Sequence, residues 1–255
     1  MKFYSVFFVA LFCHLNGFCQ QNDGTPVTSG KIVFEQFTKM IIVSSGDETE
    51  EQLKSIPKES KKTMDLIFNQ TASLYCLSET KDMDEGPKTT VDDNGNVTLK
   101  MGSKKSQEII YTDLVNKKSS CQREFFFRNF LIEEDLSNFN WKLTGQQKTI
   151  LGYTCMQAEF VKNDKTTTAW FTPQIPVPSG PAGFGNLPGL ILSLSYNNGD
   201  DRYTAISIDT KTSIEPIVNK TEGKKVTHDE FAKIREDKFK EISSMGAGGT
   251  INIKM

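Results

Sequence analysis

The chain has 255 residues, with 30 Lys and Arg against 32 Asp and Glu and a formal net charge of −2. Lysines alternate with carboxylates instead of gathering into a basic stripe, which argues against binding of phosphate backbones. With 37% hydrophobic residues, the chain is long enough to bury a sizeable core.

In chain order, Lys2 is followed by an apolar run over residues 3–15, then by Asn16-Gly17-Phe18-Cys19 and the polar Gln20-Gln21-Asn22-Asp23. That layout predicts a secretory signal over residues 1–19, cleaved after Cys19, and a single β-rich domain over residues 20–255. A membrane helix needs about 20 apolar residues, whereas this run is shorter and interrupted by His14. Lipid attachment at Cys19 is the alternative, weakened because Phe18 sits where such sites need a small residue.

Residues 31–43 are β-branched and aromatic, with Glu35, Gln36, Thr38 and Lys39 interspersed, and predict a first strand. A charged stretch over 46–62 follows, with a short helix expected near 48–54. Strands over 64–68 and 73–78 flank a turn at Asn69-Gln70-Thr71. Asn94-Gly95, between Val91 and Val97, is the strongest hairpin signal in the chain. Asp92, Asn94 and Asn96 alternate as in a calcium loop, yet Val97 stands where glycine is needed and Ser103 where glutamate is needed, so a plain turn is expected.

Residues 107–111 and 122–133 continue the strands. The run Phe125-Phe126-Phe127 is expected in the core, because three consecutive aromatics are sheltered only where both sheet faces are covered. Residues 141–144, 152–162 and 166–172 add strands, with Asn163-Asp164 as a turn. Residues 190–196 and 202–208 form a hairpin across Asn197-Asn198-Gly199-Asp200. Thr227 and Glu230 make a capping box, after which Phe231, Ile234, Phe239 and Ile242 share one helical face. The glycine-rich tail over 245–249 follows. The fold class is therefore mainly β: an antiparallel curved sheet, a meander tending to a half-barrel like that of lipoprotein carriers, with a C-terminal amphipathic helix packed on it.

Between the last pairs of strands, residues 170–191 mix five prolines and four glycines with large apolar side chains, which marks a packed loop and not a solvated linker. Pro188-Gly189 suits the centre of a type II turn. Asn186-Leu187-Pro188-Gly189-Leu190-Ile191, with Trp141-Lys142-Leu143-Thr144, Ile150-Leu151-Gly152-Tyr153-Thr154-Cys155, Ala169-Trp170-Phe171-Thr172-Pro173 and Gly180-Pro181, resembles the GLPGLI family of secreted proteins from Gram-negative bacteria, with asparagine in place of the first glycine. The resemblance is densest over 141–196 and implies a periplasmic or outer-membrane-associated protein of no assigned activity.

Chemistry is sparse in this sequence. His228 is the only histidine after residue 19 and is expected as an exposed first-turn residue. No ligand spacing for zinc, no Gly-x-Ser-x-Gly elbow and no dinucleotide loop is found, and Glu133-Glu134-Asp135 fits a solvated turn. No catalytic residue, metal or cofactor is assigned. Cys76, Cys121 and Cys155 allow one disulfide with one thiol, or three buried thiols, and Cys155 fits a core position. The expected function is non-catalytic: an envelope protein binding an apolar ligand or peptide. A structural subunit docking to an envelope partner is the alternative, and an enzyme of unrecognised type comes last. Candidate binding residues are Trp170, Phe171, Phe184, Leu187, Pro188, Gly189, Leu190 and Ile191. The expected partner is an envelope protein, peptide or lipid, with no nucleic acid and no transmembrane helix after the signal.

Overall fold

The computed structural model describes residues 27–39, 41–43, 58–78, 88–91, 97–100, 108–211, 214, 216–244 and 251–253. The expected signal over 1–19, the helix near 48–54, the turn at 92–96 and the tail over 245–249 lie outside them.

Among the described residues the strands in chain order are β1 (Gly30–Lys39), β2 (Ile41–Val43), β3 (Glu59–Phe68), β4 (Ala72–Leu77), β5 (Lys88–Val91), β6 (Val97–Lys100), β7 (Ile109–Asp113), β8 (Lys118–Phe125), β9 (Arg128–Asp135), β10 (Lys142–Ile150), β11 (Tyr153–Lys162), β12 (Lys165–Thr172), β13 (Leu190–Tyr196), β14 (Asp201–Asp209), β15 (Lys224–Val226) and β16 (Ile251–Ile253), and the α-helix is α1 (His228–Ser244). Twelve strands form one sheet in the order β10-β11-β12-β13-β14-β1-β3-β4-β7-β8-β9-β15. All neighbours are antiparallel except β15, which runs parallel to β9. The pairs β2–β16 and β5–β6 stand apart, and the second is the hairpin expected around Asn94-Gly95, with Val91 opposite Val97.

Apart from β15, which joins β9 at the edge out of turn and in parallel, the order is that of an up-and-down barrel. β14 returns to pair with β1, and the ring is interrupted only where β9, edged by β15, faces β10. Residues 136–141 make that connection, and seven Cα steps reach at most about 24 Å. In a flat sheet β9 and β10 would be about 48 Å apart, ten strand spacings. The sheet must therefore curl until its edges approach, and it stays open along that seam. The strap 136–141 bridges the gap.

The concave face is filled by residues 173–189. Ile175, Val177 and Leu187 are buried in the same core as Ile32, Phe34, Leu66 and Phe68, and Ser179 Oγ donates to Ser73 Oγ of β4 at 2.7 Å. Prolines shape this plug: the N–H groups of Val177, Ser179 and Gly189 donate to the carbonyls two residues earlier, each across a proline, in the pattern of an inverse γ-turn. This replaces the expected type II turn at Pro188-Gly189, because the Leu190 N–H that would close it donates to Ile175 O at 3.0 Å. Asn186 adopts φ 63°, a conformation asparagine tolerates well.

The expected strand over 122–133 is two strands, β8 and β9, joined at Phe126-Phe127, both with positive φ (48° and 61°). The aromatic run does not enter the core as a unit. Phe125 packs on the helix, whereas Phe126 and Phe127 are 46% and 80% exposed at the hairpin tip. The helix is capped as its sequence requires: Thr227 N–H donates to Glu230 Oε2 at 2.8 Å and Glu230 N–H to Thr227 Oγ1 at 3.1 Å. Its apolar face meets β8 and β9 through Phe231, against Phe125 and Phe130, and through Phe239, against Phe125. Among the described residues no helix is long and apolar enough to cross a membrane.

Candidate functional site: a cleft at the barrel seam

A cleft of about 130 Å³ opens where the strap and the plug meet the concave face of β7, β8 and β9. Its sheet side is arranged in rows by strand register. Ile110 pairs with Cys121 and Cys121 with Ile132, giving an apolar row across three strands. Two residues along, on the same face, Thr112, Ser119 and Glu134 form a polar row. On the other side of the apolar row stands Arg123, whose Nη2 lies 3.0 Å from Glu108 Oε1. Successive rows are roughly 7 Å apart, as two residues of strand dictate.

Burial separates floor from rim. Ile110, Cys121 and Ile132 are buried, whereas Glu134, Ser137 and His228 are exposed. The facing wall is aromatic: Phe139 of the strap stacks on Phe184 of the plug with ring centroids 4.9 Å apart. Phe160, Trp141 and Tyr196 support these rings. Strap and plug are tied on both sides of this wall. Trp141 Nε1 donates to Gly185 O at 2.9 Å and Asn186 Nδ2 to Ser137 O at 2.6 Å.

Burial pushes the Cys121 thiol up to about 11, despite the neighbouring guanidinium, so it is a neutral wall group and not a thiolate nucleophile. Burial opposes the charge of Arg123, but Glu108 and the Cys121 sulfur outweigh it and hold the guanidinium ionised. Arg123 Nε has no hydrogen-bond partner among the described residues. The Arg235 guanidinium of α1 is held below its ordinary range by burial and then by the nearby Arg123 charge. Cys76, Cys121 and Cys155 are all thiols, and Cys155 is fully buried as expected. Among the described residues no cluster of His, Cys, Asp and Glu could hold a metal ion.

Of the eight candidate residues, only Phe184 lines the cleft. Phe171, Leu187, Gly189, Leu190 and Ile191 are buried in the core, and Pro188 is exposed away from the cleft. Trp170 is half-buried under Lys148, whose Nζ sits 4.1 Å from the ring centroid. Sequence reasoning placed His228 at the helix start but gave no sign that the helix start faces a cleft. Ser119, Cys121 and Arg123 carry a period-two signal. It was hidden because Ser120 and Gln122 are buried too, the outer face being covered where Asn219 Nδ2 donates to Ser120 Oγ and Glu222 N–H to Gln122 Oε1.

Residues 128–233 match the family described as N-glycanase peptide, N-terminal domain. Two solved structures of PNGF-II share this fold: in the P21 crystal form the TM-score is 0.53 at 16% identity, over 81% of this chain and 33% of that one, and in the C2 form it is 0.52 at 16% identity, over 81% and 32%. The chain thus spans about a third of the length of the structures it matches. No curated protein matches. The GLPGLI resemblance is overturned, since residues 141–196, which carried it, lie inside the segment matching the N-glycanase domain. Its hexad is the end of the plug and the start of β13, so packing demands account for those residues. The expectation of a non-catalytic envelope protein, and with it the assignment as no enzyme, falls to the same matches, which point to an enzyme-related family.

Proposed function

We propose that this protein is N-glycanase-related and takes the N-linked glycan of a glycoprotein as its substrate, seating it in the cleft at the barrel seam. The observation that carries this proposal is one of position: nine of the thirteen residues lining the cleft lie within the matched segment 128–233. The lining suits a sugar. Phe139 and Phe184, stacked on each other, give the cleft an aromatic wall against which the apolar parts of a pyranose can pack, while Glu134, Ser137, Arg123 and His228 offer donors and acceptors for hydroxyl groups. Glu134 and His228 are also the rim groups able to exchange a proton with a glycan–amide linkage. Export directed by residues 1–19 would bring the protein to glycoproteins outside the cytoplasm.

The test is incubation of the purified protein with an N-glycopeptide and its non-glycosylated twin, following binding by calorimetry and glycan release by mass spectrometry. The glycopeptide alone should bind. Glu134→Gln, at an exposed position, should weaken binding or release about tenfold while the unfolding midpoint stays unchanged. Identical behaviour of the two peptides would overturn the proposal.

A further inference from the structure

We propose that the β8–β9 tip docks the protein on a lipid bilayer, with the Phe127 ring entering the boundary between head groups and acyl chains. This surface is apart from the cleft and does not depend on the cleft being the N-glycan seat: Phe125, the last residue of β8, lies four residues of strand beyond Cys121, about 13 Å. A two-residue turn in such a hairpin asks for positive φ at both central positions, where a Cβ is costly. The chain meets the same demand in the ordinary way at Asn163-Asp164, with φ 52° and 57° and Lys162 paired to Lys165. At the β8–β9 tip Phe125 pairs with Arg128, and the two residues between them are phenylalanines at φ 48° and 61°. Packing within the fold accounts for only one of them. Phe126 lies edge-on to Phe125 with ring centroids 4.7 Å apart, whereas Phe127 is 80% exposed and makes no ring or cation contact among the described residues.

The surroundings of the tip decide its occupant. Its exposed apolar surface is confined to these two rings, because Arg128 follows directly and is exposed, as is Lys224 opposite Phe130 on β15, while Lys238 of α1 stands over Phe126 with Nζ 5.5 Å from the ring centroid. Arg128 and Lys224 make no ion pair among the described residues; Lys238 pairs with Glu241 at 2.8 Å, and Glu124 is half-buried and already partnered. Two partly exposed phenylalanines fall well short of the roughly 800 Å² per side that a stable protein interface buries. A bilayer asks for less area and for this layout, with a ring that gains by leaving water at a convex tip and cations beside it at the level of the phosphates. One ring and a few cations give weak, reversible attachment that is stronger on anionic lipid.

The test is sedimentation of the purified protein with vesicles of equal parts phosphatidylcholine and phosphatidylglycerol. Wild type should pellet with them, and Phe127→Asn should lower the partition coefficient at least about tenfold. Asparagine tolerates the left-handed backbone, so the unfolding midpoint of this variant should be no lower than that of wild type. Arg128→Ser should lower partitioning about fivefold, and added salt should weaken wild-type binding in the same direction. In Phe127→Trp, brominated acyl chains should quench the new tryptophan and leave the emission of Trp141 and Trp170, read from wild type, unchanged. Wild type left in the supernatant, equal pelleting of wild type and Phe127→Asn, or a tryptophan at position 127 that the brominated lipid does not quench would overturn the proposal. Self-association of wild type without vesicles that Phe127→Asn abolishes would assign the tip to a second copy of the chain and overturn it as well.

Discussion

Single residues in this molecule are constrained by close approach more than by chemistry. Gly189 shows this most sharply: a Cβ there would lie 2.1 Å from Thr172 O, the backbone of the neighbouring strand β12. Gly189→Val should therefore destabilise the protein by about 3 kcal/mol, seen as a lower urea midpoint, because backbone and not a flexible side chain has to move. An unchanged midpoint would mean the plug does not press on β12. Buried acids set a second expectation at this scale. Cys121 and Cys155 are held at about 11 by burial, above the ordinary 9.0 of a thiol, and Tyr75 and Tyr203 are raised by burial as well. The unfolded chain gives up these protons first, so their contribution is whole below pH 9 and is lost as pH rises from about 9 towards 11. The urea midpoint should hold between pH 7 and 9 and fall by pH 10.5. A flat profile to pH 10.5 would contradict the burial of these groups.

Elements differ in how far they could be read in advance. The capping box, the helix face, the hairpin over 190–208 and the turn at Asn163-Asp164 follow from local rules, because their hydrogen bonds are made within a few residues. The β8–β9 tip does not. Phe126 and Phe127 take positive φ at a two-residue turn, a place where asparagine and glycine are favoured, so neither composition nor apolar patterning marks a turn there. Phe126 packs edge-on to Phe125, with Lys238 Nζ 5.5 Å from its ring centroid, whereas Phe127 is largely exposed. Phe127→Gly should raise stability by about 1 kcal/mol through relief of the left-handed backbone, read as a higher urea midpoint. A fall would show that the ring makes stabilising contacts. The edge strand β10 was foreseen only at its start. Its side chains are exposed on both faces as far as Thr149 and its ladder is irregular between Leu143 and Gln147, so neither strict alternation nor continuous pairing announces its length.

At the scale of the whole molecule, the curved antiparallel sheet and its packed helix were legible from strand spacing and the final amphipathic stretch. The cleft was not. It brings together β7, β8, β9, the strap, the plug and the first residue of α1, positions separated by up to 118 residues between Ile110 and His228. No local pattern reports such a meeting; it follows from curling twelve strands until the six-residue strap can span the seam. The apolar residues of the plug drew notice as a binding stripe because sequence cannot tell an apolar loop that fills a half-barrel from one that offers a surface. Register supplied what was missing, since it alone places the apolar row between two polar ones. The most direct test of the N-glycan seat is amide shift mapping on isotope-labelled protein as an N-glycopeptide is added, with its non-glycosylated twin as control. The glycopeptide should shift residues 119–123, 132–139, 182–184 and 228 and leave the exposed edge β10 unmoved, while the twin shifts neither. Shifts confined to β10 or to the Phe126-Phe127 tip, or equal shifts from both peptides, would contradict the assignment of the cleft.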